Sequence, residues 1–331
     1  MGFRFGGKKK SSEETREESS LPGAAVIDTG DNRPRTIGEL KASGYKPVSI
    51  REEMRRNLIT LIKSGKPIFN GIIGYDNTVI PQVENTILSG QNIIFLGERG
   101  QAKSRVMRLL TGLLDEYIPV IRGCEINDNP LNPICKSCKE KVAAEGDNTQ
   151  ITWLHRHDRY GEKLATPDTT IADLIGDVDP IKVAEGRYLS DELTMHYGII
   201  PRTNRGIFCI NELPDLAERL QVGLFNLLEE ADIQIKGYRV RLPLDMVLVA
   251  SANPEDYTSR GRIITPLKDR FGSQIRTHYP VTIKDEISIV EQEWQRFSDG
   301  DIEFYVPNYI KEIIAEITHL ARKSPDIGQR S

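Results

Sequence analysis

Asn92-Ile93-Ile94-Phe95-Leu96-Gly97-Glu98-Arg99-Gly100-Gln101-Ala102-Lys103-Ser104 is the stretch whose reading decides the fold. A short apolar strand runs straight into a glycine-bearing turn. A helical pattern follows, with Val106, Leu109, Leu110, Leu113 and Leu114 along one face. From Gly97 to Ser104 the turn matches G-x-x-x-x-G-K-[ST], except that Ala102 stands where the second glycine belongs. In such a loop the backbone N–H groups from Gly97 through Glu98, Arg99, Gly100, Gln101 and Ala102 wrap a phosphate. Lys103 reaches the β/γ oxygens, and Ser104 offers its hydroxyl to Mg2+. Alanine at 102 costs little provided its φ is negative. The competing reading is a glycine turn capping an ordinary βα unit; the strand before and amphipathic helix after favour the phosphate loop.

Three further elements lie downstream in the order an ATP site requires. Ile207-Phe208-Cys209-Ile210-Asn211-Glu212 is a buried strand ending in a polar pair. At such an end one acid orients the metal shell and the next activates water. The first position is an amide, Asn211, which keeps an acceptor oxygen and loses a charge; Glu212 remains as the base. Rapid hydrolysis is therefore less secure than binding. Ala250-Ser251-Ala252-Asn253-Pro254-Glu255 ends another strand, and Asn253 could reach between the γ-phosphate and the attacking water, or simply cap the strand exit. Leu267-Lys268-Asp269-Arg270-Phe271 offers Arg270 either as a charge on the transition state or as a member of a surface ion pair.

Taken together these elements resemble the AAA+ ATPases, in the branch containing the magnesium chelatase motor subunit and the MoxR-type ATPases. The residues that carry the resemblance are the Gly97–Ser104 loop, Arg205-Gly206, Glu212, Asn253-Pro254-Glu255 and Asp269-Arg270-Phe271. Gly71-Ile72-Ile73-Gly74 is similar to the family's adenine-side box. The likeness runs over about residues 67–283. It implies an α/β P-loop NTPase (AAA+) with a three-layer core and the start of a C-terminal helical lid. It also implies ATP and Mg2+, a homo-oligomeric ring (usually a hexamer) with nucleotide between subunits, and Arg270 acting in a neighbour's site. A protein partner, often with a von Willebrand-type domain, comes with the same likeness. Two alternatives share this core: an ATP-gated switch with little turnover, motivated by Asn211, and a sigma-54-activator-like transcription ATPase. The latter is disfavoured, because no helix-turn-helix, basic face or Gly-Ala-Phe-Thr-Gly-Ala loop is present.

The rest of the chain frames this core. Its 331 residues carry 44 Lys and Arg against 48 Asp and Glu, a balance that argues against coating nucleic acid through bulk charge. No apolar run reaches membrane-helix length and no signal peptide is visible, so a cytoplasmic protein is expected. Residues 1–35 read as a solvated tail, 36–66 as an N-terminal helical segment, 67–283 as the core and 284–331 as a partial lid. A hairpin over 233–242 carries Lys236, Arg239 and Arg241, either facing a pore or deterring edge pairing. The final stretch is shorter than a lid with its sensor arginine requires, so the sequence is expected to be partial.

Near residues 122–160 an insertion foreign to the common family core holds Cys124, Cys135 and Cys138, with His155 and His157 beyond. A CxxC knuckle with two more N/S donors reads as structural zinc, and Cys124, Cys135, Cys138 and His155 are the expected ligands. The plainer reading is three reduced thiols. Cys209, inside an apolar strand, is expected in the core; His196 and His278 have no matched partners.

Overall fold

The computed structural model describes residues 33–179, 192–230, 242–253, 262–295 and 305–323. The tail up to residue 32, the expected hairpin with Lys236, Arg239 and Arg241, and Pro254-Glu255 lie outside the described residues. The strands are β1 (Ile93–Leu96), β2 (Tyr117–Ile121), β3 (Ile151–His155), β4 (Tyr160–Leu164), β5 (Gly176–Val178), β6 (Met195–Tyr197), β7 (Gly206–Asn211), β8 (Met246–Ala252) and β9 (Ser273–Arg276). A parallel sheet in the order β4-β7-β8-β1-β9 forms the centre.

The central strands read as unbroken apolar runs because both faces of the sheet are covered. Along β7, Ile207 and Cys209 join one buried cluster while Phe208 and Ile210 join the other. The same alternation along β8 sends Val247 and Val249 one way and Leu248, Ala250 and Ala252 the other. Successive side chains of a strand point to opposite faces, so these runs build a helix–sheet–helix sandwich of three layers, as expected. Cys209 is fully buried, and that burial pushes its thiol up to about 12.

One face is closed by helices α2 (Ile50–Lys63), α3 (Val79–Leu88) and α4 (Lys103–Leu109). Helix α2 is part of the core: Ile50, Met54 and Leu58 share the cluster of Ile93 and Phe95. A buried ion pair fixes it to the sheet. Arg159 Nη1 and Nη2 donate to Glu53 Oε1 and Oε2 at 2.6 and 2.7 Å, with side-chain exposures of 1% and 4%. Arg159 Nε also donates to the carbonyl of Arg205, at the entry to β7.

Residues 117–155 form the antiparallel pair β2–β3 with helix α5 (Lys136–Glu145) between them. The short helix α1 (Ile37–Ala42) packs on it, through Ile37, Leu40 and Ile151. At the C-terminal side, helices Ile283–Gln295 and Asn308–Lys323 pack together, with Lys311 on Glu291 at 2.6 Å and Arg322 on Glu286. Arg105 of α4 pairs with Glu293 at 2.8 Å and so joins core to lid. Among the described residues no helix is long and apolar enough to cross a membrane.

Candidate functional site

Strands β1, β7 and β8 end side by side. Leu96 is paired with Ala252, and the Gly97 amide donates to the Ala252 carbonyl at 3.1 Å. The next residues, Gly97, Glu212 and Asn253, therefore meet at the carboxyl edge of the sheet, where open α/β sheets bind ligands.

The loop after β1 is held from inside and outside. Gln101 is buried, and its Oε1 accepts from the Glu98 amide at 3.0 Å and from Thr277 Oγ1 at 2.7 Å. Tyr75 Oη donates to the Gln101 carbonyl at 2.8 Å, and Tyr279 Oη to the Arg99 carbonyl at 2.7 Å. Burial pushes the Tyr75 hydroxyl up to about 12, so it remains a donor. A Cβ on Gly97 would lie 1.9 Å from Thr277 Oγ1 and 2.2 Å from Gln101 Oε1, so any larger residue there would displace the Thr277–Gln101 hydrogen bond. Gly100 has φ +82. The buried Lys103 folds its ammonium onto the carbonyls of Gly97 and Glu98.

Ala102 corrects an expectation. It stands at φ 54, ψ 16, in the left-handed region, where a Cβ is strained. The alanine is thus tolerated at a cost.

Polar groups converge beside the loop. Ser104 Oγ donates to Asn211 Oδ1 at 3.2 Å, and Ser251 Oγ donates to the same oxygen at 3.2 Å. Asn211 Nδ2 donates to Glu162 Oε1 at 2.6 Å. A carboxylate only accepts, so Glu162 on β4 fixes which way the amide points. Arg108 on α4 grips Glu162 with two hydrogen bonds of 2.9 and 3.1 Å. Burial raises the Glu162 pKa, but the hydrogen bonds from Arg108 and Asn211 outweigh it and hold the carboxyl below its usual value.

Glu212 takes a left-handed backbone, φ 54 and ψ 51. Its amide donates to Ser251 Oγ at 3.3 Å, while its Oε2 is buried without a hydrogen-bond partner. Asn253 is 4% exposed. Arg270 ends the helix Thr265–Arg270, exposed, its guanidinium 5.2 Å from the centroid of Phe225. Gly71 and Gly74 have φ +78 and +82; Gly71 lies between Arg105 of α4 and Gln292 of the first lid helix, whose Nε2 donates to the Gly71 carbonyl at 3.0 Å, and Gly74 lies against Asp285. His278, read as unmatched, contacts Thr78 Oγ1 at 2.8 Å and the Tyr279 carbonyl at 2.7 Å.

These residues fit a nucleotide with its metal. The loop turns through a left-handed glycine at Gly100, two oxygens face each other at Ser104 and Asn211, and a buried carboxylate oxygen at Glu212 lacks a partner. Glu162, Arg108, Ser251, Thr277, Tyr75 and Tyr279 carry no motif of their own; each is an ordinary polar residue that only the fold brings to the loop.

The expected zinc ligands are only partly brought together. Cys124, Cys135 and Cys138 converge, and the fourth group beside them is Asp128. His155 pairs with Tyr117 at one end of the β2–β3 ladder, whereas Cys124 follows Ile121 at the other end. Four residues of strand separate the ends by about 13 Å, and His155 instead meets Tyr117 edge-on and lies tilted beside the ring of His157.

The fold is the α/β P-loop fold of the AAA+ class. Magnesium-chelatase subunits are among the chain's homologues. A magnesium-chelatase subunit ChlI homologue of Methanocaldococcus jannaschii is 27% identical over 269 residues, covering 77% of this chain and 68% of that protein. The 38 kDa magnesium-chelatase subunit of Cereibacter sphaeroides is 25% identical over 246 residues, covering 70% of this chain and 65% of its own length. In the complex between subunits BchI and BchD of magnesium chelatase, one chain matches this fold with a TM-score of 0.50 at 21% identity, covering 77% of this chain and 74% of that one. No family model matches the chain.

Proposed function

We propose that this chain is an ATP-hydrolysing motor of the magnesium-chelatase type, cytoplasmic, working as a homo-oligomeric ring, hexameric in its family, on a partner protein or in metal insertion. The observation that carries the reading is Glu212: a strand-end carboxylate with a buried, unpartnered oxygen beside a phosphate loop. The Gly97–Ala102 amides and Lys103 bind the phosphates, Lys103 exchanging its carbonyl partners for phosphate oxygens. Ser104 and Asn211 would hold Mg2+, which when bound neutralises charge developing on the phosphates. Glu212 accepts a proton at Oε2 from the attacking water, and Asn253 orients that water. Arg270, exposed at a helix end, serves the neighbouring copy's site. Comparing phosphate release by the wild type with Glu212→Gln tests the motor. A wild-type rate clearly above the variant's supports it.

The second reading, an ATP-gated switch with negligible turnover, is favoured by Asn211, whose amide leaves the metal side of the site one charge short. Wild-type phosphate release no faster than that of Glu212→Gln, with ATP still bound, would select the switch.

A further inference from the structure

We propose that Cys124, Asp128, Cys135 and Cys138 bind one Zn2+ ion. Their ligand atoms all lie within 4.8 Å of one another. A tetrahedral site with Zn–S bonds of about 2.3 Å spaces its sulfurs by about 3.8 Å, so small side-chain shifts close the four onto one ion. An iron–sulfur cluster holds its ligands farther apart than a single ion does. Soft thiolates in a tetrahedral set select zinc over the hard divalent cations.

Two further observations point to a cation. Asp128 is fully buried, and its Oδ2 accepts from the amides of Ile134 and Cys135 at 3.2 and 3.0 Å. Its Oδ1 is buried with no hydrogen-bond partner. Leaving a carboxylate oxygen bare in the interior is costly, and a metal bond removes the cost. Amide donors also reach the sulfurs: Asp128 N lies 3.4 Å from Cys124 Sγ, and Cys138 N lies 3.3 Å from Cys135 Sγ. Such outer bonds favour thiolates and orient metal ligands. The cysteines are not in disulfides. A redox dithiol would need only the CxxC pair and gives no reason to bury Asp128 against a third thiol.

The ion would close the loop from Cys124 to Cys138, which packs on the flank of the nucleotide site. Cys124 follows β2, Cys135 caps α5, and Cys135 and Cys138 share an apolar cluster with Ile126, Tyr197 and Leu213, the residue after Glu212.

The test uses the full chain, expressed with added zinc and washed free of loose metal. Mass-spectrometric metal analysis should find one zinc per chain, and thiol reagents should reach these cysteines only after a strong chelator is added. Asp128→Ala should weaken zinc binding at least about tenfold, and His155→Ala should leave it unchanged. Should Asp128→Ala fail to fold by circular dichroism, Co2+ loaded into the wild type decides instead. Tetrahedral d–d bands with thiolate charge transfer support the site; octahedral bands without charge transfer overturn it. Zinc near zero with freely reacting thiols, iron at cluster stoichiometry, or zinc loss on His155→Ala with retention on Asp128→Ala would each refute the assignment.

Discussion

Asn211 donates through Nδ2 to Glu162 at 2.6 Å. The metal-side amide is therefore leaning on a carboxylate from the neighbouring strand, and the charge missing at position 211 stands one side chain away. Asn211→Asp would set two carboxylates against each other, and one of them would be forced to protonate. We expect that single change to slow ATP turnover or raise the Mg2+ requirement. Combining it with Glu162→Gln should recover much of the loss, with a coupling of about 1 kcal/mol or more in a double-mutant cycle of kcat. Additive effects would show that the two residues act independently.

Lys103 and Glu212 should separate binding from chemistry. Lys103→Ala removes the cation of the phosphate loop and is expected to abolish ATP binding by fluorescent-nucleotide titration. Glu212→Gln keeps the shape and loses the base, so binding should persist while phosphate release falls by about a hundredfold or more. Unimpaired release by Glu212→Gln would remove Glu212 from the mechanism.

Arg270 is exposed at the end of its helix. If it serves a neighbouring copy, Arg270→Ala should bind ATP normally and lose turnover by about a thousandfold. Mixing it with Lys103→Ala should restore part of the activity, because an intact loop from one copy can meet an intact arginine from the other. Wild-type specific activity should also climb with protein concentration. Mixtures no better than their components, with activity flat on dilution, would place the arginine's work within one chain.

At position 102 the backbone is left-handed while the residue is alanine. Glycine adopts φ 54 without the steric penalty, so Ala102→Gly should stabilise the fold by about 1 kcal/mol, roughly 2 °C in Tm. A lowered Tm would mean that the loss of chain stiffness outweighs the relief.

The Glu53–Arg159 pair is almost wholly buried, so removing one partner strands the other. Glu53→Gln is expected to cost about 3–5 kcal/mol in chemical denaturation, with a large loss of soluble protein. Replacing both by apolar residues of similar volume should be much milder. A single variant as stable as the wild type would mean that water reaches the stranded arginine.

What sequence alone reveals divides along burial. Strands β1, β7 and β8 are covered on both faces, so they appear as apolar runs and their terminal residues Gly97, Glu212 and Asn253 could be placed at once. The edge strands β4 and β9 could not: Tyr160-Gly161-Glu162-Lys163-Leu164 and Ser273-Gln274-Ile275-Arg276 carry charges and amides where half the ladder faces other neighbours. Glu162 was hidden with its strand. Asp128 was hidden for another reason: a loop aspartate four residues after a cysteine carries no signal, and histidine is the better-known companion of thiolates. Only the direction of the β2–β3 ladder separates His155 from the knuckle.

Tyr279 gives the phosphate loop an external handle. Its hydroxyl holds the Arg99 carbonyl, and the Arg322 guanidinium of the last described helix rests 4.4 Å from the centre of its ring. One aromatic side chain thus separates the lid from the turn that cradles phosphate. Leverage runs both ways across it: a tilt of the lid bears on the loop, and a loop drawn around a phosphate tugs on the lid.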